Sequence, residues 1–295
     1  MTQFDLLLVG HGNVAKRFVS LLAEQKEALA REYGLRARII GIATRRHGQA
    51  YSAGGVKTSE VKTSVVSGFS RTPTSTRDYI RRALKRSAAA ARTGRLVVIE
   101  TTTLDIESVE PAIGHIRTAL AGGAHVVTAN KGPVAFAYHR LAQAAERADR
   151  RFLFEGAVKD GVPIFNLVRE TLPSVRILGF PGVVNSTTNF ILTAMEQGRR
   201  FEEALAEMQA CGVAEADASL DVDGWDAAAK AAALANVLLG ANITPKDVER
   251  RGNRARHRAA GARGAGRGPA VEARGARRAR RATGHGARGA RGAPG

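Results

Sequence analysis

Two lysines stand in settings where a cation could serve a ligand rather than the surface. Lys230 follows Asp226 by four residues in DGWDAAAKAAALANVL, a spacing that places both side chains on one face of a helix. The surrounding sequence is alanine-rich and apolar on most sides, which implies a largely buried helix whose charges need partners or a ligand. Glu215, Asp217, Asp221 and Asp223 precede it, so the segment collects acids around one ammonium. A small substrate carrying both an ammonium and a carboxylate would give both signs a use. The competing reading is an ordinary surface ion pair, worth little. The second lysine, Lys131, lies in HVVTANKGP, just past the C-terminal end of an apolar run. Open parallel sheets bind ligands there. A surface cation is the alternative, but the Asn-Lys-Gly-Pro setting implies a fixed backbone.

A third feature speaks of phosphate. Gly10-His11-Gly12-Asn13-Val14-Ala15 follows the first apolar run and opens a helical pattern, the context that a G-x-G-x-x-G/A dinucleotide turn requires. Gly10 would make the tight turn, Gly12 would let a pyrophosphate approach the backbone, and the small Ala15 would permit close helix packing. The phosphates would meet the positive end of the helix. The second apolar run ends in Thr44-Arg45-Arg46-His47, without the acid that binds ribose hydroxyls in NAD enzymes. Arg45 and Arg46 could instead pair with a 2′-phosphate, which favours NADP, with NAD as the other possibility; two solvated arginines are the plain alternative. His11 and His47 read as loop residues. The single cysteine, Cys211, falls on the apolar stripe of a helix and reads as a small buried hydrophobe.

The elements that must hold these residues alternate. FDLLLVG (Phe4 to Gly10), RARIIGIA (Arg36 to Ala43), RLVVIE (Arg95 to Glu100) and AHVVTAN (Ala124 to Asn130) read as buried strands. Between them, helical patterns run through Val14 to Leu22, Thr76 to Ala91 and Pro111 to Ala121, with a further one at Ala137 to Asp149. That order predicts a parallel sheet covered on both faces. From Arg151 the pattern becomes α+β: strands in RFLFEGAV and in VRILGFPGVV (Val175 to Val184), then helices carrying Phe201, Leu205 and Met208 and spanning Trp225 to Leu239. PKDVER (Pro245 to Arg250) reads as the start of a helix.

Composition bounds the rest. A chain of 295 residues with 44% hydrophobic content can bury a sizeable core. Its longest apolar runs are too short to span a bilayer, and the N-terminus lacks the basic flank of a signal peptide, so a cytoplasmic address is expected. The formal charge of +18 is not spread over the chain. Residues 251–295 hold thirteen Arg, no Lys and one acid, and 37 of these 45 residues are Gly, Ala or Arg. Such a segment buries too little apolar surface to offset its ordering entropy, so disorder is expected. It reads either as a basic arm contacting nucleic-acid phosphates or as the product of GC-rich coding sequence read out of frame. The abrupt switch and the lack of stacking aromatics favour the latter, and a nucleic-acid partner is not expected.

Taken in order, these segments resemble the homoserine dehydrogenase family over residues 1 to about 250. The glycine turn, VVTANKGP, Phe154-Glu155-Gly156-Ala157-Val158 with Gly161-Val162-Pro163-Ile164, Asn185-Ser186-Thr187-Thr188-Asn189, the Gly212-Val213-Ala214-Glu215 segment and the Asp226–Lys230 segment succeed one another as in that family. The resemblance implies Lys230 as proton donor and Lys131 beside the nicotinamide and the carbonyl. It implies Glu215 and Asp226 as substrate ligands, assisted by Thr187 and Asp221, and Thr102 against the cofactor. It further implies a sodium-type cation held by Glu155 and by the carbonyls of Val158, Asp160 and Val162. The chain departs from the family at Val213, where a Tyr is common, and at the bulky Lys159-Asp160 pair. Its catalytic domain also lacks the further strands that family members carry after the Asp226 helix.

The expected architecture is therefore α/β: a Rossmann-type nucleotide-binding domain over residues 1–150, an incomplete α+β substrate and dimerisation domain over 151–250, and a disordered tail over 251–295. The expected activity is NAD(P)-dependent interconversion of L-aspartate 4-semialdehyde and L-homoserine by a homodimer, with a truncation that could leave the chain inactive. Another Rossmann oxidoreductase of small amino or keto acids, or a non-catalytic protein with a nucleic-acid-binding tail, are the alternatives.

Overall fold

The computed structural model describes residues 1–45, 48–56, 75–89, 95–107, 109–159, 161–211, 214, 219–250 and 272–273. Arg46, His47, Asp160 and Glu215 lie outside the described residues, as does the expected disordered tail apart from Glu272 and Ala273. The chain divides into two compact units, Met1–Leu167 and Val168–Gly295.

The first unit is built on a six-stranded sheet: β1 (Thr2–Val9), β2 (Leu35–Thr44), β3 (Gly48–Tyr51), β4 (Leu96–Glu100), β5 (His125–Thr128) and β6 (Phe152–Leu153), in the spatial order β3-β2-β1-β4-β5-β6. All pairings are parallel except β2 with β3. The run Leu6-Leu7-Leu8-Val9 is buried throughout, as a central strand with both faces covered must be. Leu6 and Leu8 pack with Val19, Ile39, Ile42 and Ile99. Val19 comes from α1 (Asn13–Glu24), whose buried positions Ala15 and Val19 are four apart. The antiparallel edge strand β3 makes the sheet mixed rather than wholly parallel. The strand expected in RFLFEGAV is confined to Phe152–Leu153, because the chain tightens into a 3-10 turn at Glu155–Ala157.

Among the described residues the sheet is joined further by α2 (Lys26–Tyr33), α3 (Thr76–Ala89), α4 (Ala112–Ala121) and α5 (Lys131–Arg147). Because the chain runs from β1 to β2 on one side and returns to β4 on the other, the C-terminal ends of β1 and β4 form a topological switch point. Thr101 N bonds Val9 O at 2.8 Å there, beside Gly10.

The second unit is mainly helical among its described residues. After the three-residue α6 (Ile164–Asn166) of the first unit come α7 (Ser186–Glu196), α8 (Phe201–Ala210), α9 (Ser219–Val222) and α10 (Trp225–Leu238). Ile191 and Ala194 of α7 pack on Ala204 of α8, with Phe201 and Leu205 at the rim. Nearly every turn of α10 is buried, through six alanines, Leu234 and Asn236 as well as Asp226. Asn236 closes its end by exchanging two hydrogen bonds with the backbone of Ile243, at 2.9 and 3.0 Å.

Three expectations are corrected in this unit. Val175 to Val184 is not a strand: it has no ladder partner among the described residues and leaves Leu178 77% exposed. Pro245 to Arg250 is not a helix start. Thr244 and Asp247 form a capping box, but the turn ends after Asp247, and β7 (Val248–Glu249) pairs antiparallel with β8 (Glu272–Ala273). Cys211 is not buried; it is the C-cap of α8 and faces outward. Among the described residues no helix is long and apolar enough to cross a membrane.

Candidate active site

At the switch point the glycine turn has the geometry that its sequence implies. Gly10 adopts φ +94°, and a Cβ built on it would lie 2.7 Å from the Thr101 carbonyl oxygen, so no side chain fits. Gly10 N bonds Ala43 O at 2.9 Å, which ties the turn to β2 as well. Gly12 is the N-cap of α1, and a Cβ there would meet no atom of the described residues within 4 Å. The first turn of α1 carries no acidic residue, and Gly12 supplies no side-chain cap. Asn13 and Val14 are exposed on that turn, whereas Ala15 is fully buried beneath it. With no side-chain cap, no acid in the first turn and no described atom over Gly12, the backbone N–H groups of this helix start suit a dinucleotide pyrophosphate. Arg45 stands exposed at the turn between β2 and β3.

The same edge of the sheet carries Lys131. Asn130 is the N-cap of α5, its Oδ1 accepting from Gly132 N at 2.9 Å, so Lys131 is the first residue of that helix. Helix α5 begins well before the expected Ala137 because this cap forms. Thr102, expected against a cofactor, directs its hydroxyl to Glu100 and receives Asn130 Nδ2 at 3.4 Å.

In the expected cation loop, Glu155 accepts the amides of Phe165 and Asn166 at 2.9 and 3.0 Å, so its carboxylate caps α6. Val158 is buried and Val162 is 43% exposed. Among the described residues no group of three or more His, Cys, Asp or Glu is gathered as for a metal.

The second unit assembles the other lysine. Lys230 Nζ lies 2.9 Å from Asp226 Oδ2, one turn earlier on α10, and 2.7 Å from the Val184 carbonyl. Asp226 is only 7% exposed, so the pair is an internal one and not the surface pair that spacing alone allowed. Asn185 then joins the acids, its Nδ2 donating to Asp226 Oδ2 at 2.9 Å and to Asp221 Oδ1 at 2.8 Å. Its Oδ1 accepts from Thr188 N at 2.8 Å and caps α7, on whose first turn Thr187 is buried. Asn185 was visible in the sequence only as part of a motif. Its residue type just before Ser-Thr-Thr, an N-cap signal, was the available clue to its position.

A sheet of this strand order with a glycine turn at its switch point and an open helix N-terminus defines a Rossmann-type dinucleotide-binding oxidoreductase. Sequence profiles then assign residues 10–155 to "Homoserine dehydrogenase, NAD binding domain" and residues 163–284 to "Homoserine dehydrogenase". The second match runs past residue 250, further than the sequence resemblance alone extends. An "NAD(+)-dependent homoserine dehydrogenase" of Pseudomonas canavaninivorans is 35% identical over 254 residues, covering 85% of this chain and 71% of that one. A homoserine dehydrogenase of Methanocaldococcus jannaschii is 36% identical, covering 84% and 73%. Among solved structures, a putative homoserine dehydrogenase of Archaeoglobus fulgidus superposes with a TM-score of 0.67 at 28% identity, over 83% of this chain and 71% of that one. The chain belongs to the homoserine dehydrogenase family and is an NAD(P)-dependent oxidoreductase acting on a small-molecule substrate.

Proposed function

We propose that this chain reduces L-aspartate 4-semialdehyde to L-homoserine with Lys230 as the proton donor. The carrying observation is the buried Asn185–Asp226–Lys230 array, in which the ammonium is fixed by Asp226 Oδ2 and the Val184 carbonyl. The dinucleotide, when bound, supplies the hydride. The residues of this chain do the rest. The Lys230 ammonium stabilises charge developing on the carbonyl oxygen and delivers a proton to it from Nζ. Asp226 orients that ammonium, and Asp221, Glu215 and Thr187 complete the substrate side. The family resemblance gives Lys131, the first residue of α5, a role beside the nicotinamide and the carbonyl. Gly10, Gly12, Asn13 and Val14 would line the dinucleotide cradle with Ala15 packed beneath it, and the resemblance adds Thr102 to the cofactor side.

Arg45 and Arg46 favour NADPH through its 2′-phosphate, with NADH as the lesser cofactor, although the P. canavaninivorans relative is by name NAD(+)-dependent. A sodium-type cation would be held by the carbonyls of Val158, Asp160 and Val162 with Glu155. Because the Glu155 carboxylate already accepts two amides, its share would come from a remaining lone pair or its own carbonyl. No step of the reaction runs through that ion. A cytoplasmic homodimer formed through the second unit completes the reading, supported by the apolar exposure of Val175, Leu178 and Val183.

The test is Lys230→Ala in the 295-residue chain, assayed by oxidation of NADPH with aspartate semialdehyde. Loss of a general acid predicts a fall in kcat of about 10²–10⁴-fold with NADPH affinity retained. Full turnover would remove Lys230 from its role.

A further inference from the structure

One buried charge in the nucleotide-binding unit has no part in the reading above. Glu100 ends β4 and is fully buried, the sole acid in the strand LVVIE. Its Oε1 accepts from Thr102 N at 3.0 Å and from the Thr102 hydroxyl, and its Oε2 accepts from Thr128 Oγ1 at 2.7 Å. Thr128 Oγ1 in turn accepts from Asn130 N at 3.0 Å, and Asn130 Oδ1 accepts from Gly132 N at 2.9 Å. Asn130 Nδ2 closes the circuit on Thr102 Oγ1 and the Thr103 carbonyl, both at 3.4 Å. The carboxyl thus spans two strand ends and the turn between β5 and α5.

A carboxyl is an expensive group to bury for packing alone, since an apolar side chain of similar size would fill the volume without desolvation. Burial pushes the Glu100 carboxyl up toward its neutral form, and the bonds from Thr102 and Thr128 oppose that push. Two oxygens on one planar group can hold two strand ends at a set separation. The Asn130–Gly132 turn inherits that separation through Thr128.

We propose that Glu100 is a positioning residue, which sets the turn bearing Lys131 by clamping Thr102 and Thr128 at the ends of β4 and β5. The inference rests on the proposed role of Lys131 for its catalytic consequence, but not for its structural one.

The experiment compares Glu100→Ala, Glu100→Gln and Lys131→Ala in the full chain by amide hydrogen exchange and by kcat and KM with NADPH and aspartate semialdehyde. Glu100→Ala is expected to speed exchange about tenfold at Thr102, Asn130 and Gly132 while leaving β1 and α1 protected. It should also lower kcat by up to about 10²-fold with little change in KM, as for a displaced reacting group. Glu100→Gln, which keeps the acceptor for Thr102, should recover most of both. Exchange that rises across the whole unit, or nowhere, would overturn the proposal, as would a kcat within twofold of the parent while Lys131→Ala is impaired. If Lys131→Ala keeps full kcat, the lysine reading fails instead, and the exchange data alone decide whether Glu100 orders the turn.

Discussion

The side-chain amide of Asn185 donates to Asp226 Oδ2 at 2.9 Å, although 41 residues separate the two in sequence. The same oxygen receives Lys230 Nζ at 2.9 Å, so one carboxylate oxygen orients both an amide and an ammonium. Asn185 also caps α7, which gives it two separable duties. Asn185→Ser retains a capping hydroxyl but is too short to reach both acids. Stability should fall by about 1 kcal/mol or less for the cap, while kcat falls more steeply as Asp226 loses a partner. Asn185→Asp keeps the cap and adds a third carboxylate beside Asp221 and Asp226, so it should lower kcat further. Thermal melts beside steady-state kinetics separate the two duties. Equal loss of both quantities in each variant would contradict them.

The two glycines of the dinucleotide turn should fail in different ways. Gly10→Ala forces a side chain onto a φ of +94° against the Thr101 carbonyl, and should cost about 1–3 kcal/mol of stability. Gly12→Val places its Cβ where no described atom lies within 4 Å, so the fold should stand while NADPH affinity drops by at least tenfold. Melting temperature and quenching of NADPH fluorescence read these outcomes. A Gly12→Val variant that binds NADPH normally would place the cofactor elsewhere.

Arg45 bears on cofactor choice. If it meets a 2′-phosphate, Arg45→Ala should lower kcat/KM for NADPH by roughly tenfold, the worth of a charge-assisted bond, and leave NADH untouched. Parallel loss with both cofactors would reject the phosphate contact.

His115 makes acid stability predictable. It is buried in α4, its Nδ1 has no hydrogen-bond partner among the described residues, and burial, aided by Arg77, pushes its pKa down from 6.5 to about 4. The unfolded chain therefore binds a proton that the folded chain refuses between those values. Stability contributed by the neutral ring is complete above pH 6.5 and lost as pH falls toward 4, by about 3 kcal/mol at most. Denaturant melts of His115→Leu across that window should show a flatter pH dependence; an unchanged slope would exclude His115 as its source.

What could be read from sequence was whatever rests on short-range spacing. The glycine turn, the first four apolar strands and the Asp226–Lys230 pair each occupy a few consecutive residues, and each has its expected local form. Contacts between distant segments were not legible. Asn185 reaches acids 36 and 41 positions away. At Glu100 an acid closes an otherwise apolar run just before three threonines, which is the local trace of a clamp whose other half, Thr128, lies 28 residues away. Val175 to Val184 has strand-like residues, but a strand exists only where a neighbour completes its ladder. At Thr244 the capping box was a true helix-start signal, yet Val248 continues in extended conformation, with φ −88° and ψ 121°.

The alanines of α10 have a consequence for precision. A buried alanine has no rotamer to freeze and the highest helix propensity of any residue, so this helix gives up little conformational entropy when it forms and keeps few alternative states afterwards. Neighbours meet it close to the backbone and leave little soft side-chain matter in which its axis could drift. The ammonium of Lys230 is therefore mounted on a stiff rod, and under its proposed role as proton donor, substitutions on the loops that lead into α10 should alter which substrate is accepted without altering where the proton comes from.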